Sequence, residues 1–163
     1  MPSTRQVLKQ CSVFQTLNES ELDRVASLAV EKEYEAGATI FRERDSAAEL
    51  LVIEEGKVAL QMTIPPAQGH NARRVTVDVV NEGEVVGWSV VVEPHVYTFT
   101  AICLQRAKVL AISGARLRAL CEEDKSIGYK VTKGLIKLAA SRLDETRRVL
   151  ISERLLSSEP EQK

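Results

Sequence analysis

The sequence predicts a mostly β fold with flanking helices, a sandwich or a barrel, and three features carry that reading. Seven short β-prone runs punctuated by turn residues fill the middle of the chain, a capped amphipathic helix precedes them, and a long helical pattern follows. Each element can be justified in order along the chain. From Gln6 to Phe14 the apolar residues are only loosely spaced. Asn18-Glu-Ser-Glu21 then reads as a capping box, with Asn18 as N-cap and Glu21 at the third helical position. Leu22, Val25, Ala26, Leu28 and Ala29 recur at spacings of three and four, which gives one buried stripe until Glu31-Lys-Glu33 breaks it.

After Tyr34-Glu-Ala-Gly37 the texture turns to strands: 39–42, 49–53, 57–64, 73–80, 85–87, 96–104 and 108–112. Glu54-Glu-Gly-Lys57 reads as a hairpin turn. Residues 64–72, with two prolines, cannot continue a ladder and read as an exposed, mobile hairpin loop. Val75, Val77 and Val79 alternate with Thr76 and Asp78, which predicts a strand with one core face and one wet face. From Ser113 the period is helical again, first in a short piece with Leu117, Leu120 and Cys121. A longer helix over about 126–156 follows, with Val131, Leu135, Leu138, Leu143, Leu150 and Leu155 at helical spacing. A helix that long overruns a small barrel, so its distal apolar positions call for a second copy of the same helix in a two-stranded coil. The polar tail 157–163 has nothing apolar to bury and reads as disordered.

Composition narrows the function classes. The chain has 163 residues, which suits one domain, and 22 Lys+Arg against 23 Asp+Glu give a net charge of −1. That balance lacks the basic excess of a nucleic-acid binder. The N-terminus lacks the apolar core of a signal peptide, and no run approaches a membrane span, so a cytoplasmic location is expected. Cys11, Cys103 and Cys121 are scattered, and His70 and His95 stand alone, so neither disulfides nor a metal site is expected. No phosphate-loop, nucleophile-elbow, zinc-protease or dinucleotide motif occurs, which leaves catalysis without a candidate residue.

Several ordered motifs resemble the cyclic nucleotide-binding domain of the catabolite activator and kinase-regulatory superfamily. Phe14-Gln-Thr-Leu-Asn-Glu-Ser-Glu-Leu22 is similar to its opening Phe-x-x-Leu-Ser-x-x-Glu-Leu. Tyr34-Glu-Ala-Gly37 with Ile40-Phe-Arg-Glu-Arg-Asp45 resembles Tyr-x-x-Gly…Ile-Phe-x-Glu-Gly-Asp, and Leu51-Val-Ile-Glu-Glu-Gly-Lys-Val58 resembles Tyr-x-Ile-x-x-Gly-x-Val. The resemblance implies an eight-stranded jelly roll, or double-stranded β-helix barrel, over residues 1–156, with an N-terminal helix and a long C-terminal dimerisation helix.

It also implies a ligand site in the stretch GEVVGWSVVVEPHVYTFT, residues 83–100, which matches the family's phosphate-binding cassette. There a Gly-Glu pair opens a short helical turn and an Arg-Ala or Arg-Ser pair closes it; the Glu takes the ribose hydroxyl and the Arg pairs with the cyclic phosphate. By position, Gly87 keeps the family glycine, Trp88 stands where Glu is expected, Ser89 where Leu or Ile is, and Tyr97-Thr98 where Arg-Ala or Arg-Ser is. Thr146 and Arg147 resemble the long-helix segment that brings hydroxyls to the purine in transcription-factor relatives, with Arg147 as a replacement cation. Arg142, Arg147 and Arg148 otherwise read as a solvated helix face partnered by Asp144 and Glu145.

Losing one half of a buried charge pair costs about 2–5 kcal/mol. The family's usual ligand geometry is therefore weakened. Two readings of Trp88, Tyr97 and Phe99 stay open: a site altered for weak nucleotide binding or for another small anionic or aromatic ligand, and a pocket plugged by its own aromatics. The first makes the chain a non-catalytic regulatory sensor, the second a ligand-free dimerisation or protein-interaction module. Transcription-factor relatives follow the long helix with a helix-turn-helix, whereas this chain ends soon after Leu156. A stand-alone homodimeric effector domain is expected, without direct DNA binding and acting on a partner protein.

Overall fold

A computed structural model gives the fold and describes residues 2–66, 68–69 and 71–157. Ala67 and His70 of the 64–72 loop, and residues 158–163 of the tail, lie outside the described residues. The chain runs α1 (Thr4–Gln10), α2 (Glu19–Ala26), β1 (Ala29–Tyr34), β2 (Thr39–Phe41), β3 (Glu49–Glu55), β4 (Val58–Ile64), β5 (Arg73–Val80) and β6 (Val85–Val86). A 3₁₀ turn (Trp88–Val91), β7 (Thr100–Cys103), β8 (Ala107–Ser113), α3 (Gly114–Glu123) and α4 (Lys125–Ser157) complete it.

The strands form two four-stranded antiparallel sheets, in the orders β1-β8-β3-β6 and β2-β7-β4-β5, facing each other as a jelly roll and not closing into one barrel. Strand β3 shows why the first sheet is the spine. Successive side chains of a strand point to opposite faces. Leu51 and Ile53 face the second sheet, together with Val109 and Ala111 of β8. Leu50 and Val52, with Leu110 and Ile112, face the helices and pack with Phe14, Leu117 and Ile127. Both faces are therefore dry, and the run Leu50-Leu-Val-Ile53 is apolar without interruption for that reason.

Four elements depart from the sequence reading. Helix α1 is closed by a capping box between Ser3 and Gln6 and buries Val7 and Leu8. Strand β1 lies where the charged residues Glu31 to Glu33 read as the end of a helix. Among the described residues it is an edge strand that pairs with β8 alone, and its outward Glu31 and Glu33 form ion pairs with Lys108 and Arg106. Glu54–Lys57 is not a hairpin turn but a corner, since β3 and β4 belong to different sheets. Gly56 makes the corner with φ 98°, where a Cβ would collide with the Arg106 carbonyl oxygen.

The predicted alternation on β5 is broken as well. Leu60 pairs with Asp78 and Gln61 with Thr76, so Val77 is an extra, bulged residue. Val77 and Val79 are 49% and 38% exposed, and Asp78 takes the half-buried side expected for the valines. Within 96–104, Thr100–Cys103 is strand, while Val96 makes an isolated bridge to Ser46.

Helix α4 starts on Asp124, whose Oδ1 accepts from the Ser126 and Ile127 amides at 3.1 and 3.2 Å. A buried carboxylate then fastens it to α2. Glu21 closes its own capping box with Asn18 and also receives Lys130 Nζ at 2.6 Å and the Ser126 hydroxyl at 2.7 Å. The Asn18 amide first, then Lys130 and Ser126, hold its pKa down at about 2. A carboxylate with a depressed folded pKa adds stability above its unfolded pKa and loses it as pH falls towards the folded one. Glu21→Gln is therefore expected to cost on the order of 2 kcal/mol at neutral pH and to flatten the acid limb between about pH 5 and pH 2. Urea denaturation across that range checks it; an acid limb as steep as in the unmodified chain would contradict the assignment.

Candidate functional site

The cassette begins where β6 ends. Gly87 has φ 82° and ψ 23°, the left-handed region, and an added Cβ would lie 2.7 Å from the Glu49 carbonyl oxygen and 3.2 Å from the Tyr97 ring. Only glycine lets the backbone pass this close to β3. The 3₁₀ turn Trp88–Val91 follows, closed by the Val90 amide donating to the Gly87 carbonyl at 3.2 Å and the Val92 amide to that of Ser89 at 3.1 Å. A turn of four residues carries little of the dipole that lets longer helices hold an anion.

Tyr97 closes the cassette. Its hydroxyl donates to the Glu49 carbonyl at 2.7 Å and accepts from the Glu49 amide at 3.0 Å. Its ring stacks on Phe41 with centroids 3.8 Å apart and planes 12° from parallel. Its backbone is held too, with the Tyr97 amide donating to Asp45 and the Arg44 amide donating to Tyr97. Burial pushes the phenol pKa up, so the neutral hydroxyl that can both donate and accept is the stable form. Glu49 is fixed from the other side, because Lys32 Nζ donates to both of its carboxylate oxygens at 2.8 and 2.9 Å and the pairing raises the lysine pKa.

Gly87, Trp88, Ser89, Tyr97 and Thr98 come together, with Phe41 and Phe99, around a cavity of only about 10 Å³. That is room for at most one water. Four of the chain's seven aromatic residues (one Trp, three Tyr and three Phe) line it: Phe41, Trp88, Tyr97 and Phe99. Thr98 is exposed, and Ser89 is half-buried. Thr146 and Arg147 do not line this space. Both are exposed on α4, and the Thr146 hydroxyl donates to the Arg142 carbonyl of its own helix at 2.8 Å.

Arg142 corrects the solvated-face reading. It crosses to β5 and pairs with Asp78 at 2.5 Å, with a longer 3.5 Å approach to the Val85 carbonyl, while Arg148 alone of the three pairs with Asp144. Phe41, Glu49, Asp78 and Arg142 are thus site neighbours that the sequence reading did not assign. Phe41 stands in the Ile40–Asp45 motif, which carries the fold resemblance without marking the ring stack, Glu49 acts through its main chain, and Asp78 was hidden by the bulge. Trp88 also forms one wall of a second, open groove of about 180 Å³, between Val91 and Val92 of the cassette and Thr132, Leu135, Ile136 and Ala139 of α4. Among the described residues no three His, Cys, Asp or Glu side chains group as a metal site, and no helix is long and apolar enough to cross a membrane.

The family model for the cyclic nucleotide-binding domain matches residues 31–124, and the chain belongs to that family. Among solved structures, a putative cyclic nucleotide-binding protein from Geobacter metallireducens is 28% identical with a TM-score of 0.73, over 88% of this chain and 99% of that one. Thermus thermophilus catabolite activator protein is 25% identical with a TM-score of 0.67, over 90% of this chain and 63% of that one. A cyclic nucleotide-binding domain from Methylobacillus flagellatus shares the fold at 18% identity and a TM-score of 0.75, over 98% of this chain and 84% of that one. Among curated proteins, none matches the chain.

Tyr97→Phe removes the one hydroxyl that serves both Glu49 main-chain groups while keeping the ring stack. Leaving such buried groups unpaired costs about 1–3 kcal/mol. A loss of that size in urea denaturation is expected, and an unchanged midpoint would contradict the anchoring role.

Proposed function

We propose that this domain is a non-catalytic regulatory module whose nucleotide pocket is permanently filled by its own aromatics and which works as a homodimer through α4. The observation that carries the first half is Tyr97, which occupies the position that the family resemblance gives to the phosphate-pairing arginine and leaves about 10 Å³ beside it. A phosphate brought there meets a neutral phenol already committed to Glu49, and a ribose meets the Trp88 indole instead of a carboxylate. Loss of the charge partner alone, about 2–5 kcal/mol, weakens binding by some thirtyfold to several thousandfold.

The dimer half rests on α4. Tyr129, Ile136, Leu143 and Leu150 recur every seven residues and are 65%, 63%, 51% and 48% exposed. A seven-residue apolar repeat is the pattern that a second helix covers in a two-stranded coil. The isologous partner is another copy of the same surface. Partner regulation then follows from the helix surface that the dimer presents.

A second reading is favoured by the groove beside Trp88. Its 180 Å³ and uncharged lining, with the Thr132 hydroxyl as the polar side chain, suit a small neutral apolar or aromatic molecule better than an anion. On this reading the ligand site has moved to the helix side of Trp88.

Light scattering tests the dimer and its independence from nucleotide together. The expected mass is twice that of the chain with and without millimolar cyclic AMP or cyclic GMP, and Leu143→Asp, which buries a charge in the seam, is expected to give monomer. A monomer at tens of micromolar, or a dimer that forms only with nucleotide, would overturn the proposal.

A further inference from the structure

The Arg142–Asp78 pair lies where α4 leaves the jelly roll. Before it, Ile127, Val131 and Leu135 are buried and Leu138 packs against the same core. After it, Leu143, Val149, Leu150, Ile151, Leu155 and Leu156 are all exposed. The pair is itself sheltered, with side chains 18% and 36% exposed, and Arg142 Nε is buried without a hydrogen-bond partner. The acidic half exists because of the bulge. Had β5 kept regular alternation through Val77, Asp78 would fall on the outer face of the strand, and Val77 and Val79 would take the inner one. The guanidinium also approaches the carbonyl of Val85, two residues before Gly87.

We infer that Asp78 and Arg142 form a clasp that fixes the direction in which the distal half of α4 leaves the roll and ties that direction to the strand feeding the cassette. Its purpose is positional. The other directional contacts of α4, from Glu21 to Ser126 and Lys130, lie two to three turns before Leu138, and the apolar contacts that follow them are not directional, so beyond Leu138 the helix can tilt. A charge-assisted pair from a bulged strand selects one tilt. The clasp acts within one chain and needs no ligand. The orientation it imposes on Tyr129, Ile136, Leu143 and Leu150 matters for partner choice only if the dimer reading above holds.

The test measures an intrachain distance by pulsed electron spin resonance. Labels go on Lys57→Cys, in the exposed corner of the roll, and Ser152→Cys, on an exposed position of α4, in a Cys121→Ser background; Cys11 and Cys103 are buried. Labelled chains are diluted into an excess of unlabelled chains, so pairing between copies does not enter the distance, and failure of the dimer reading stays separate from failure of the clasp. Ser152 lies fourteen residues past Leu138, a lever of about 21 Å, so a tilt of roughly 15° moves the label by about 5 Å. One narrow distance is expected for the parent chain. Asp78→Asn and, independently, Arg142→Gln are expected to broaden it or add a population shifted by about 5 Å. Arg142→Lys, which keeps the charge, is expected to retain the narrow distance. Circular dichroism confirms that each chain is folded. An unchanged narrow distribution in folded Asp78→Asn or Arg142→Gln protein overturns the clasp, as does a parent distribution already as broad as theirs.

Discussion

The two-way hydrogen bond between the Tyr97 hydroxyl and the main chain of Glu49 is the constraint around which the site is organised. A residue at the first position of β3 has one amide and one carbonyl to satisfy, and here a single phenol satisfies both. The ring that delivers the phenol is held flat against Phe41, which brings the end of β2 over the cassette. Gly87 is compelled by the same packing, because its backbone passes between the Glu49 carbonyl and the Tyr97 ring. The interior of this turn is thereby part of the core. Tyr97 accordingly packs in the same buried cluster as Leu50, Val52 and Val85.

The first sheet transmits this arrangement to the helices. Strand β3 carries Glu49 at its start and has no wet face along Leu50–Ile53, so it is gripped between the second sheet on one side and the helical layer on the other. Glu21 locks that layer, taking Lys130 and Ser126 of α4 onto the start of α2. Beyond Leu138 the helix departs from the core, and the Asp78–Arg142 pair is where a strand of the second sheet reaches it. Cassette, roll and helix are thus joined at both ends of the packed part of α4.

Much of this was legible in the sequence because it rests on local rules. The Asn18–Glu21 capping box, the apolar run of β3 and the long three-and-four pattern of α4 each follow from short-range geometry, and the structure has them where they were read; Gly87 was singled out by the family resemblance instead, and has the left-handed φ of a turn glycine. The departures come from tertiary context. Glu31–Glu33 read as a break, yet charges suit an edge strand whose outward side meets Lys108 and Arg106. Glu54–Lys57 has the composition of a hairpin turn, and nothing local tells a hairpin from a corner between sheets. The bulge at Val77 inverts the faces of β5, so Asp78 reads as a solvent residue although it faces Arg142. For the site, the substitutions at 88 and 97 pointed to a changed pocket and left two outcomes open. The near-absence of space is a property of how Phe41, Trp88, Tyr97 and Phe99 pack, which spacing along the chain does not encode.

Calorimetric titration with cyclic AMP and cyclic GMP tests the central claim most directly, comparing the parent chain with a Trp88→Glu, Tyr97→Arg double variant. The filled pocket predicts no heat of binding at millimolar nucleotide for the parent chain, and measurable binding once the plug is replaced by a carboxylate and a guanidinium. Saturable binding to the unmodified chain would contradict it.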